Sequence, residues 1–166
     1  STLYNKRARD FMKTELGLKY SYVGGGSSLS IYSKYRIINS GQISFKDSYN
    51  GAIYADIKYL NTTVRIYCIH LQSIGLGNDE NELFDKKNIT NFNKNTTLLK
   101  YKRIHNKLKM AFLKREEQAL KIKEHMNACP HPFILAGVLN DIPSSYTYAV
   151  LSKDLQDAFT GKGLGF

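Results

Sequence analysis

His70 and Asn140 are the two residues whose type and placement suit chemistry on a phosphate group. His70 stands at the end of an apolar run, Val64–Leu71, within the stretch IHLQS. An imidazole there can hydrogen-bond or protonate a phosphoryl oxygen. Asn140 stands just past a second apolar run, Phe133–Gly137. Its amide offers both a donor and an acceptor, which suits orienting a water or an anionic oxygen. Strands that open into polar loops are where many folds place their reactive groups, so two such residues can converge. Taken singly, each also reads as an ordinary residue, His70 at a strand end and Asn140 in a turn beside Pro143. Asp141, next in the chain, faces the same proline turn.

Other polar residues carry weaker signals. Arg115 falls in the middle of the apolar stripe of a long helix, where its guanidinium needs a carboxylate or several carbonyls, or must reach solvent. His105 lies on the same stripe and reads as a packed core histidine. His125, Cys129 and His131 cluster in sequence, but their spacing matches no common zinc pattern. Gly24-Gly25-Gly26-Ser27-Ser28 is followed by a strand-like run rather than a helix, so it lacks the helix N-terminus of an anion cradle.

The elements that position these groups follow from periodicity. Asn5–Leu16 reads as a helix with Ala8, Phe11, Met12 and Leu16 on one face, ended by Gly17. Strands are expected over Ile31–Ile38 and Gln42–Phe45, separated by a turn at Asn39-Ser40-Gly41. Ile53, Ala55, Ile57 and Tyr59 alternate with Tyr54, Asp56 and Lys58, as in a half-buried strand. A tight turn at Asn61-Thr62 then leads to Thr63–Leu71, making a hairpin. Gly75–Asn95 reads as a long polar loop. A helix from about Thr97 to Asn127 places Leu98, Tyr101, His105, Leu108, Phe112, Arg115, Ala119, Ile122 and Met126 on one stripe. Pro130 and Pro132 end it. Phe133–Gly137 is expected as a buried strand and Tyr146–Leu151 as a short helix. Hairpin strands followed by helix, strand and helix indicate an α+β layered fold.

Composition sets the class. The chain has 166 residues, 42% apolar and 12% aromatic, which fits one globular domain with a sizeable core. No apolar run approaches the roughly 20 residues of a membrane span, and no signal peptide is visible in STLYNKRARDF. Lys and Arg number 24 against 14 Asp and Glu, a net charge of +10. Such a balance attracts polyanions and phosphate-bearing molecules. The two cysteines, Cys68 and Cys129, form no CxxC and read as free thiols.

Several ordered motifs together are more specific than any one of them. SIYSKYRII (Ser30–Ile38), GAIYADIKYL (Gly51–Leu60), TVRIYCIHLQS (Thr63–Ser73), REEQAL (Arg115–Leu120), PFILAGVLNDIPSSYTY (Pro132–Tyr148) and LQDAFTGKGLGF (Leu155–Phe166) occur in this order. The set resembles bacterial members of the endonuclease/exonuclease/phosphatase superfamily, the deoxyribonuclease I-like proteins, particularly those of Bacteroidetes type. The resemblance implies a four-layer α/β/β/α sandwich and hydrolysis of phosphodiester or phosphomonoester bonds with Mg²⁺ or Mn²⁺. It implies a phosphate-bearing substrate such as nucleic acid, a phospholipid head group or a sugar phosphate.

Carried over position by position, His70 matches the histidine that contacts the scissile phosphate, and Asn140 the asparagine that positions the phosphate or the attacking water. Val138 occupies the position of the aspartate that orients and deprotonates that water. Arg115 and Gln118 match a structural R-x-x-Q. Ser145 and Tyr54 are assigned to substrate contact, and no metal ligand is assigned. Val138 can neither hold a metal nor take a proton, and the family's metal-binding glutamate and terminal Asp-His pair have no counterpart between residues 1 and 166. The resemblance therefore implies an interior piece of a larger domain, with activity impaired by about 10²–10⁴-fold for want of a general base. A second reading is a catalytically dead basic module that binds nucleic acid or a phosphorylated ligand. The compartment stays open between the cell envelope and the cytoplasm.

Overall fold

In a computed structural model, residues 2–24, 29–77 and 94–158 are described. The expected glycine loop at 25–28, most of the polar loop at 78–93, and the GKGLGF end lie outside them. Helix α1 (Thr2–Thr14) is followed by strands β1 (Tyr20–Val23), β2 (Ser30–Ser33), β3 (Ile37–Ser44), β4 (Gly51–Tyr59) and β5 (Thr62–His70). Helix α2 (Lys94–Asn127), strand β6 (Phe133–Val138) and helix α3 (Tyr146–Ser152) complete the order. The architecture is α+β, as the element pattern implies. β3-β4-β5-β6 form one sheet and β1-β2 a second, antiparallel pair. β6 joins β5 in parallel, all other neighbours being antiparallel.

The pleat sorts side chains onto two faces. Ala52, Tyr67, Ile69 and Leu71 face α2 and α3, where they meet Ala119, Ile122, Met126 and Leu151. Ile53 and Ala55 face the other way and pack with Ile31 of β2. Strand β4 is thus covered on both faces through its first six residues, and the expected half-buried strand is corrected: two layers, not one, close over it. Each large side chain so buried contributes about 1.5–3 kcal/mol.

Three further expectations change. Asn39-Ser40-Gly41 is not a turn but the interior of β3, paired with Asp56, Ala55 and Tyr54. Its polar residues find partners across the ladder, with the Asn39 amide donating to Asp56 at 2.9 Å. Gly41 leaves room for the Tyr54 ring, whose atoms would lie 2.6–2.7 Å from a Cβ there. On α2 the buried stripe runs through Ile104, Ala111, Arg115, Gln118, Ala119, Ile122 and Met126. The expected stripe agrees from Arg115 onward but is one residue out of register before it, so His105, Leu98, Tyr101 and Phe112 are exposed. A single 3.6-residue period fits either register over a short stretch, and only the sheet surface selects one. Finally, among the described residues β6 is an edge strand with an open face and not a buried one. Ile134 is 56% and Val138 51% exposed, because the β1-β2 pair does not reach across it.

Candidate functional site

The parallel pairing of β5 and β6 brings His70 and Val138 to the same rung, as Cα partners. Residues on one rung share a face of the sheet, so both point away from α2. The antiparallel β4 begins at the same level, with Gly51 opposite His70. Three chain segments therefore open side by side: 48–50 before β4, 71–73 after β5, and 139–141 after β6.

Their hydrogen bonds converge on the two residues after His70. The Asn140 side-chain amide donates to the Leu71 carbonyl at 2.8 Å, and the Asn50 amide donates to the same oxygen at 3.1 Å. The Leu71 N–H donates to the Val138 carbonyl at 2.9 Å. Gln72 is held from the helix side. Its N–H donates to Gln118 Oε1 at 2.9 Å, and its carbonyl accepts from the Arg115 guanidinium at 3.0 Å. Arg115 Nε donates to Asp141 at 3.0 Å, with the two side chains only 1% and 3% exposed. Arg115 is thus a buried, paired guanidinium, and α2 clamps both the His70 and the Asn140 loops through it. Ser48 extends the network, its hydroxyl donating to Gln72 Oε1 at 3.1 Å and accepting from the Asn50 N–H at 3.1 Å.

The backbone is specialised here. Gly137 has φ +141°, and a Cβ on it would sit 2.0 Å from the Ile69 carbonyl oxygen. Only glycine permits the strand to pass so close. Asn140 adopts φ +54°, a left-handed conformation that asparagine tolerates better than most residues.

The structure brings His70, Asn140 and the Val138 position together with Arg115 and Gln118 behind them. It does not bring Tyr54 there. Tyr54 is three residues along β4 and on the helix-facing side, with its ring centroid 4.8 Å from that of His125 and 4.4 Å from the Arg65 guanidinium carbon. Ser145 is near the site loop, but its hydroxyl caps α3 by accepting from the Tyr148 N–H at 3.1 Å. Asn50, Ser48 and Gln72 are parts of the network that the sequence reading passed over. Counting back equal numbers of residues from the hairpin turn would have placed Asn50 opposite Leu71.

A second polar cluster lies further along the sheet. Arg65 pairs with Asp56 across the β4–β5 rung, at 2.6 and 2.8 Å. Hydrogen bonding to Arg65 holds the Asp56 carboxyl below its ordinary range, and the same bond raises the Arg65 guanidinium. The Tyr67 hydroxyl lies 2.8 Å from Nδ1 of His125. Burial pushes the Tyr67 phenol up to about 12 and the His125 imidazole down. These groups satisfy one another within the helix–sheet interface.

The described residues do not fit a divalent cation. Among them no group of three or more His, Cys, Asp and Glu side chains could hold one. At the strand ends Val138 offers no donor atom, and the Asp141 carboxylate is taken by Arg115. His70 and Asn140 remain as hydrogen-bonding groups at the ends of parallel strands.

Two solved structures are similar to this chain in overall fold. A sphingomyelinase C from Streptomyces griseocarneus matches with a TM-score of 0.50 at 22% identity, over 77% of this chain and 38% of the other. A beta toxin from Staphylococcus aureus matches with a TM-score of 0.58 at 16% identity, over 91% of this chain and 53% of the other. The chain has the deoxyribonuclease I-like fold. The deoxyribonuclease I-like fold is thus reached by two routes, the ordered motifs and the three-dimensional match. The chain spans between 38% and 53% of the length of these two neighbours. No family model matches the sequence, and no curated protein matches it significantly.

Proposed function

We propose that this chain belongs to the metal-dependent phosphoesterases, and that its described residues supply a phosphate-binding site, with water activation impaired. The observation that carries the reading is the rung shared by His70 and Val138, with Asn140 tied to the next carbonyl at 2.8 Å. His70 can donate to a phosphoryl oxygen, and Asn140 can orient a second oxygen or a water. The name of one structural neighbour, a sphingomyelinase C, supports phosphodiester chemistry as the class. Mg²⁺ or Mn²⁺ belongs to that class, but the described residues do not form its site.

A second reading is favoured by Val138 and by the sequestered Asp141: a module that binds phosphorylated ligands or nucleic acid without turnover. Hydrolysis of a generic phosphodiester, bis-p-nitrophenyl phosphate, in Mg²⁺ or Mn²⁺ separates the two. The first reading expects a slow metal-dependent rate to appear in Val138→Asp, where a carboxylate returns to the site, and to be lost when His70→Ala is added. No metal-dependent rate in the chain or in Val138→Asp sinks it. Phosphate-competitive ligand binding that weakens steeply with salt then leaves the second reading standing.

A further inference from the structure

We infer that the first half of α2 is a docking surface for an anionic lipid bilayer. The inference is independent of the phosphoesterase reading. Between Leu98 and Lys114 the helix turns only Ile104 and Ala111 fully into the protein. Six large apolar side chains there are about half exposed: Leu98, Leu99, Tyr101, Met110, Phe112 and Leu113. At 3.6 residues per turn the exposed surface divides into two sectors. Lys100, Lys107 and Lys114 form a half-buried flank beside Ile104 and Ala111, where Lys107 and Lys114 donate to the Gly75 and Asp47 carbonyls, and Arg103 stands exposed at its edge. The six apolar residues occupy the broader adjoining arc, with Lys102 and Lys109 among them. Lysines so placed can lay their stems along apolar surface and keep the ammonium in a polar layer.

The patch continues onto the loop before α3. Ile142 is 63% and Tyr146, the first residue of α3, 57% exposed, and both line one cavity of about 230 Å³ with Phe112 and Leu113, with Glu116 and the Arg115-paired Asp141 at its polar side. Charge decides what can cover such a face. No Asp or Glu occurs from Lys94 to Arg115, a stretch that carries eight Lys and Arg, within a chain of net charge +10. Apposing two copies would bring like charges together. A nucleic acid would use the cations, yet Leu98, Leu99, Met110 and Leu113 cannot stack on bases and would stay in water. An anionic bilayer answers both features, since its interface takes apolar side chains a few ångströms deep and its head groups meet the exposed Lys102, Arg103 and Lys109. No described helix is long and apolar enough to cross a membrane, so the helix would lie on the surface.

Co-sedimentation of the intact chain with lipid vesicles tests this. Phosphatidylcholine vesicles containing phosphatidylglycerol should carry the chain into the pellet, and pure phosphatidylcholine should leave it in the supernatant. Lys102→Glu with Arg103→Glu and Lys109→Glu should weaken binding by about a hundredfold. Leu99→Ser with Leu113→Ser should weaken it by about tenfold, with the melting temperature and circular dichroism unchanged. Should the triple reversal not fold, Lys102→Gln with Lys109→Gln reads the same direction. Equal partition into both vesicle types, or none into either, overturns the inference. So does wild-type binding by the leucine variant, which would mark a simple polyanion surface, the more so if a DNA duplex bound equally well.

Discussion

Arg115, in the middle of a long helix, closes a buried 3.0 Å ion pair with Asp141 in the loop after the last strand. The same guanidinium donates to the Gln72 carbonyl after β5. One side chain therefore ties the helix to both loops that carry His70 and Asn140. Removing Arg115 alone leaves a buried carboxylate without its partner, which typically costs about 3–5 kcal/mol. Urea unfolding of Arg115→Met should show that loss. Arg115→Met with Asp141→Leu should recover most of it, since neither charge is then stranded. Equal losses in the single and double variants would show that the pair itself carries no energy.

Gly137→Ala should be among the most damaging small substitutions. The added methyl would meet the Ile69 carbonyl oxygen at 2.0 Å in a backbone conformation with φ +141°. About 3 kcal/mol or more is expected, because the clash is with backbone of the neighbouring strand and cannot be relieved by a rotamer change. Thermal melting of the variant checks it, and an unchanged midpoint would contradict the close approach.

Val138→Asp should be nearly neutral for folding. The side chain is 51% exposed at the end of an edge strand, so the new carboxylate stays hydrated. A stability change within about 0.5 kcal/mol is expected by denaturant titration. A loss of several kcal/mol would mean that the open face of β6 is covered in solution.

The His125–Tyr67 pair should make stability depend on pH at both ends. Burial lowers the His125 pKa below its ordinary value near 6.5. The unfolded chain then binds the proton more readily, so stability is full above about pH 6.5 and falls as pH drops below it. Tyr67 is raised to about 12 from about 10, so its contribution is present below pH 10 and is lost as pH climbs toward 12. His125→Gln should flatten the acid limb in equilibrium unfolding below about pH 6.5, and Tyr67→Phe the alkaline limb. An acid limb unchanged in His125→Gln would assign the dependence to other groups, Asp56 first, whose lowered carboxyl loses its contribution only at more acid pH.

Much of this molecule was legible in its residues. The β4–β5 hairpin, the long helix, the strand at Phe133 and the ordered motifs all depend on local pattern, and local pattern is carried by neighbours in sequence. His70 and Asn140 could be singled out because each follows an apolar run. The register of β3, the exposed face of β6 and the first half of the α2 stripe could not. They depend on which surface lies opposite: Asp56 for Asn39, Tyr54 for Gly41, and open solvent for Ile134 and Val138.

The sequence by itself thus determined the β4–β5 hairpin, the long helix, the strand at Phe133, the basic charge, and Val138 at a position where the resemblance implies an aspartate. Tertiary structure decided the rest. It put Val138 on the rung of His70, sent Tyr54 to the other face of the sheet, and spent the Asp141 carboxylate on Arg115. The physical reason is that a side chain's chemistry is set by its residue type, whereas its availability is set by the partners that burial obliges it to find.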